Sequence, residues 1–179
     1  MSALARNPPN LDLLQSTKFR LTFDRLPEMT YFCQSANFPG VSLTEIPRQT
    51  PFVELYVPGE KIIYDTLNIT FLVDEDLYAW TTIHDWIRGL TFPEKFEEYV
   101  DLIRKSQPFA TRSLGGKPQY GNAILTLFTN KNNPNFRIKL VDVFPTSLST
   151  IILNTQDTAE NVITADATFR FSYYTYERI

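Results

Sequence analysis

The chain has 179 residues, a net charge of −3, 43% hydrophobic and 14% aromatic residues, and a pI of about 5.2. That length suits one domain, the apolar content excludes a disordered chain, and the acidic balance excludes a generally basic nucleic-acid binder. Its one cysteine, Cys33, excludes an intrachain disulfide and a cysteine-cluster metal site, and reads as a small strand residue.

Residues 1–16 read as an N-terminal arm ahead of a single domain at 17–179. The opening MSALARNPPNLDLLQ lacks a long apolar run, so no secretory leader is expected, and no segment reaches the length of a membrane span. From there most of the chain alternates with a period of two. Residues 18–23 put Phe19, Leu21 and Phe23 on one face, and 30–35 and 52–57 are short strands. Residues 66–73 put Leu67, Ile69, Phe71 and Val73 on one face and Asn68 and Thr70 on the other. Such alternation marks half-buried antiparallel strands.

The middle breaks this rhythm, with a helical segment predicted at 74–104. Asp74 is placed to cap a helix, with Glu75 and Asp76 in a first turn that favours negative charge. Trp80, Ile83, Ile87 and Leu90 then recur at helical spacing, and Trp86 widens that apolar stripe. A short second helix is expected from Thr91, because Thr91 and Glu94 have capping-box spacing. Residues 105–121 read as a loop. Further strands follow at 122–129, 136–144, 148–153 and 166–176. In the last, Ala167, Phe169, Phe171 and Tyr173 alternate with Thr168, Arg170, Ser172 and Tyr174. The sum is a mainly β fold: an antiparallel β-sandwich or rolled β-barrel of about seven or eight strands, with one flanking helix and a short extra one.

No constellation for catalysis, a cofactor or a metal emerges. His84 and Asp85 are adjacent, so on a helix they diverge by about 100°, whereas a catalytic pair must converge beside a nucleophile. One histidine with scattered carboxylates is no zinc set, and the Asp74–Glu75–Asp76 run lacks the remaining ligands and glycine of a calcium loop. SLGGKPQYGN does not follow the order of a phosphate-binding loop. The charge distribution is more informative. Seven basic residues, Arg104, Lys105, Arg112, Lys117, Lys131, Arg137 and Lys139, lie in a stretch without Asp or Glu. They read either as solvated positions or as a polar contact with acidic faces of another subunit or a partner, notably at Arg104, Lys105, Arg112, Lys117 and Lys131.

The order of short motifs from Lys18 onward resembles the tail-tube family of contractile-tailed bacteriophages, which includes the tube subunit and baseplate tube initiators. The carriers are Phe32-Cys33-Gln34 leading to Phe38-Pro39-Gly40, Ile46-Pro47, and Pro58-Gly59-Glu60 at a hairpin tip. Phe71 through Asp76, His84-Asp85-Trp86, Phe144-Pro145-Thr146 and the aromatic last strand complete the set. The resemblance implies a structural, non-enzymatic virion protein without cofactors, assembled in the host cytoplasm into hexameric rings. The rings stack into a conduit for DNA ejection, against other tube, baseplate or sheath proteins. It implies a long stacking hairpin at 46–64, with Pro47, Gln49, Pro51, Phe52, Pro58, Gly59 and Glu60 as contacts. It also implies a helix packed on the sheet through Trp80, Ile83, Trp86 and Ile87. A monomeric β-barrel binding a small ligand is the alternative, and would show an apolar interior with few polar groups.

Overall fold

A computed structural model describes residues 12–91, 93–95, 97–106, 119–154 and 162–179. Among them are nine strands and three helices. They are β1 (Phe19–Phe23), α1 (Met29–Phe32), β2 (Cys33–Ala36), β3 (Val41–Gln49), β4 (Glu54–Tyr64) and β5 (Leu67–Leu72), then α2 (Tyr78–Thr91) and α3 (Glu97–Ser106). Four strands follow: β6 (Gly121–Phe128), β7 (Pro134–Leu148), β8 (Thr164–Arg170) and β9 (Tyr173–Arg178). The fold is mainly β and antiparallel, as the alternation predicts.

Two layers share one long strand. The first half of β7 pairs with β6 and β9, and β6 pairs with β1; the second half pairs with β8, which continues to β5 and β2. We call these the β1–β6–β7–β9 layer and the β7–β8–β5–β2 layer. The strand predicted at 166–176 is one run that kinks at 171–172, since β8 and β9 meet β7 in a single register: Val141 faces Tyr173 and Phe144 faces Arg170. The kink is answered on β7 by Asp142, buried with φ 57°. A positive φ at a non-glycine residue is sterically unfavourable, and here it sits where the ladder turns from one layer into the other.

The core lies between the layers. Leu67, Ile69 and Phe71 of β5 face Phe169, Ala167 and Ala165 of β8 in register, and all six are at most 1% exposed. Ile69 and Phe71 stand opposite alanines, while Leu67 meets Phe169, so the interior fills to native packing density. Phe23 packs against Phe169 with ring centres 5.0 Å apart and planes tilted by 37°.

Several expectations need correction. Residues 29–32 form the single helical turn α1 rather than the start of a strand. Residues 149–153 are not a strand; β7 ends at Leu148. Asp74 does accept the Tyr78 N–H at 3.2 Å, but α2 begins at Tyr78, so Glu75 and Asp76 precede its first turn. Thr91 closes α2 instead of opening a second helix, its hydroxyl donating to the Ile87 carbonyl at 3.2 Å. A threonine hydroxyl bonds back to the preceding turn as readily as it caps a new one, and here the preceding turn holds it. Glu94 is bound by Arg88 at 2.6 Å.

Candidate functional site

The hairpin β3–β4 stands apart from both layers as a two-stranded sheet of its own. Its register runs from Val41 opposite Tyr64 to Gln49 opposite Glu54. It therefore starts earlier than the predicted 46–64, and its tip is the turn at 50–53. Pro58, Gly59 and Glu60, expected at the tip, lie within β4 instead. The β-pattern there continues through proline because each strand of a two-stranded sheet is an edge, where a missing N–H is tolerated. The turn is tied by Thr50, whose Oγ1 accepts from the Val53 N–H at 3.2 Å and donates to the Val53 carbonyl.

The base is pinned more firmly. Asn37 receives the Asn68 N–H on Oδ1 at 2.6 Å and donates through Nδ2 to the Thr66 carbonyl at 2.9 Å. Asp65 N–H donates to Gly40 O at 3.0 Å. Tyr64 packs edge-on against Tyr174 at 5.1 Å, and Phe38 meets the same tyrosine at 5.7 Å. A bulge lies opposite Thr44, whose hydroxyl both donates to and accepts from the Lys61 backbone. Gly59 packs there: a Cβ would clash with Thr44 Oγ1 and stand 2.6 Å from its carbonyl oxygen.

Both faces of the hairpin are apolar and exposed. Val41, Leu43, Tyr56, Ile62 and the turn residue Phe52, 97% exposed, share this surface with Ile46, Leu55, Val57 and Ile63. Isolated exposed apolar residues are ordinary, but a contiguous apolar patch marks an interaction site. A two-stranded hairpin of this kind is marginal by itself in water. Of the predicted contacts, Pro47 and Gln49 lie on β3, Pro51 and Phe52 in the turn, and Pro58, Gly59 and Glu60 on β4, so one element carries them all. Val41, Leu43, Leu55, Ile62 and Ile63 belong to the same surface, and apolar residues in both phases of the alternation are their signal in the sequence.

The helical side is structurally complete. Ile83 and Trp86 are buried at 0% and 3%, while Trp80 and Ile87 pack half-buried at the margin, so the stripe centres on Trp86 rather than flanking it. Trp86 Nε1 donates to Gln119 O at 3.0 Å. The Arg25 guanidinium lies 4.8 Å above its ring, and burial pulls the Arg25 pKa down to about 10. Gly89 lets α3 approach, with Leu102 against it, and Arg88 bridges to Glu98 at 2.5 Å. That hydrogen bond, first among several causes, raises the Arg88 pKa.

His84 stacks on Trp80 at 5.3 Å and reaches Asp85 at 3.7 Å on the exposed side of α2. No group of three potential metal ligands occurs among the described residues. Burial pushes the Cys33 thiol up to about 11, which disfavours the reactive thiolate. A cavity of about 510 Å³ lies between α2 and α3, lined by Arg25, Trp86, Arg88 and Leu102 among others; it is not the apolar barrel interior that a ligand-binding barrel would offer.

Among the described residues the basic side chains are held at separate places. Arg137 and Lys139 are held by Glu177 of β9 at 2.9 and 3.4 Å, which draws the Glu177 pKa down, chiefly through the Arg137 hydrogen bond. Arg104, largely exposed, meets Asp101 at 3.7 Å. Lys131 is exposed in the turn between β6 and β7. Lys105 falls in α3, its side chain outside the described residues, as are Arg112 and Lys117.

The phage tail tube protein family matches residues 8–177. The chain belongs to that family. It is thus a structural tail component and not an enzyme. Solved structures agree on the fold. A chain of the anti-feeding prophage cap superposes over 100% of both chains with a TM-score of 0.65 at 13% identity. A chain of the anti-feeding prophage baseplate does so over 96% of this chain and 97% of its own, with a TM-score of 0.58 at 13% identity. A chain of the sheath–tube complex of the PVC extracellular contractile injection system gives 0.56 at 10% identity, over 100% of this tube protein and 99% of that chain. No curated protein matches it. No helix among the described residues is long and apolar enough to cross a membrane.

Proposed function

We propose that this tail tube protein forms hexameric rings that stack into the inner tube of a contractile phage tail, or into its baseplate-proximal start, as a conduit for DNA ejection. The observation that carries this reading is the hairpin: it is apolar on both faces, its base is fastened, and among the described residues nothing covers it. Burial of apolar area is the main drive for association, and a contact that joins unlike surfaces of identical copies generates rings or filaments. The hairpin is the ring-stacking element, with Phe52 and Pro51 leading. The exposed Arg104 and Lys131, with Lys105, Arg112 and Lys117 of the same basic stretch, serve contacts to neighbouring subunits or to sheath and baseplate proteins. Assembly takes place in the host cytoplasm, and the finished protein resides in the virion tail.

The test is negative-stain electron microscopy with mass determination on the concentrated protein and on a variant with residues 42–63 replaced by a short Gly-Ser link. The intact chain is expected to give rings or stacked tubes, and the cut chain a folded monomer. A chain that stays monomeric at every concentration, or a cut variant that stacks equally well, contradicts the reading.

A further inference from the structure

We infer that copies of this chain meet head to tail through charge, the basic end of the β1–β6–β7–β9 layer on one copy against the acidic helical end of the next. This rests on the tube reading above and names the surfaces that meet and the direction in which copies add. β6 separates the two ends. At its start, Gly121 packs against the Trp86 ring of α2, and Trp86 Nε1 donates to Gln119 O. At its finish, Phe128 pairs with Pro134 across the turn that carries Lys131. β6 has eight residues, so about 26 Å of strand divides the ends.

Strand register gathers cations at the far end. Arg20 of β1 faces Thr126 of β6, Thr126 faces Arg137 of β7, and Arg137 faces Glu177 of β9. Residues 12–20, 126–139 and 175–179 hold six basic side chains, Lys18, Arg20, Lys131, Arg137, Lys139 and Arg178, against Asp12 and Glu177. Arg137 and Lys139 share the one carboxylate of Glu177. Lys18 donates to the neutral amide oxygen of Asn132, and Arg20 lies over the Phe128 ring at 5.5 Å. Neither contact cancels a charge.

The helical end has the opposite sign. Leu26 and Glu28 line a small cavity with Tyr78 and Thr82 of α2, and α3 lies against α2 at Gly89, so 24–32 and 74–106 belong to one end. Together they hold ten carboxylates against five basic residues. Glu75, Asp76, Asp85, Glu97 and Asp101 are exposed, while Arg88 is engaged by Glu94 and Glu98 and Arg104 by Asp101. Even with Arg112 and Lys117 added to this count, the sequence leaves ten carboxylates against seven cations.

Unlike ends attract and like ends repel, so a subunit charged in this way accepts a neighbour in one orientation and rejects the reverse. A second copy is the occupant that answers both ends at once, whereas a separate acidic or basic partner answers only one. Joining unlike surfaces of identical copies is the contact that propagates. Charge also steers the encounter at distances where apolar contact has no reach. The hairpin then supplies the apolar burial, and the two charged ends supply the direction.

The experiment uses two full-chain variants with reversed charge. One carries Arg20→Glu and Lys131→Glu, the other Asp76→Lys and Asp85→Lys; all four side chains are exposed. Urea denaturation checks that each folds as the parent does. Light scattering and negative-stain electron microscopy then give the concentration at which rings or tubes form, for each variant alone and for an equimolar mixture. Alone, each is expected to need about tenfold more protein than the parent, because like charges now face each other. Mixed, the two should assemble near the parental concentration, since the reversed ends are complementary again. Lys18→Glu with Lys131→Glu, and Glu75→Lys with Asp85→Lys, replace a pair that fails to fold. Folded variants that assemble alone as readily as the parent overturn the inference and leave the tube reading intact. So does a mixture that assembles no better than its components. Absence of rings or tubes from the unsubstituted chain overturns both.

Discussion

Two regions of this molecule are built from the same kind of sequence and meet opposite fates. In β5 and β8 the alternating apolar residues find each other within the chain and are at most 1% exposed. In the hairpin of β3, β4 and their turn the apolar residues are as plentiful, occupy both faces and stay in water, with Ile46 58%, Leu43 57% and Phe52 97% exposed. Apolar area is worth about 25 cal/mol per Å² when removed from water, and the body has gained that free energy while the hairpin has not. The contrast separates what makes the subunit fold from what makes it assemble. The tight base, with Asn37, Gly40–Asp65 and Tyr64, joins the two without burying the hairpin itself.

The comparison can be broken from the body side first. Phe169→Ala removes a fully buried ring that contacts both Phe23 and Trp86. It is expected to cost about 3–5 kcal/mol, the usual range for a buried Phe-to-Ala change, read by urea denaturation. A loss below about 1 kcal/mol would mean that the two layers do not pack as described. Gly59→Ala acts on the hairpin alone. The added methyl group meets Thr44, including its backbone, so the bulge must shift. Overpacking costs about 1–3 kcal/mol, and here that cost falls on the hairpin ladder, outside the core between the layers. The concentration needed for assembly should rise roughly tenfold, equivalent to about 1.4 kcal/mol at the overpacked site. Equal assembly by this variant would show that hairpin shape is not read by a neighbour.

Much of the body was legible in the sequence because period-two alternation has a direct physical cause: successive side chains point to opposite faces. Leu67–Ile69–Phe71 and Ala167–Phe169 needed nothing more. The kink between β8 and β9 was not legible, since Phe171 and Ser172 keep the alternation while the backbone turns opposite Asp142. Helix ends are not legible where one side chain has two competing partners. Thr91 bonds back to Ile87, and Glu94 is taken by Arg88, six residues earlier and across the turn that leads out of α2. The hairpin was found but shortened. Its proline and glycine at 58 and 59 are turn residues by local chemistry, yet they sit in β4, where a bulge opposite Thr44 accommodates them. The basic stretch is a different lesson. Counting charges along the chain cannot show that Glu177, far away in sequence, pairs with both Arg137 and Lys139.

The most direct test of the distinction between body and hairpin is amide hydrogen exchange, followed in dilute monomeric and in assembled protein. In the monomer, 41–64 is expected to exchange far faster than β5 and β8, because among the described residues no layer covers its ladder. On assembly the same amides should slow to rates near those of the body, while β5 and β8 change little. A hairpin as protected as the body in the monomer, or unchanged by assembly, would contradict the claim that this element is made to be buried by another copy.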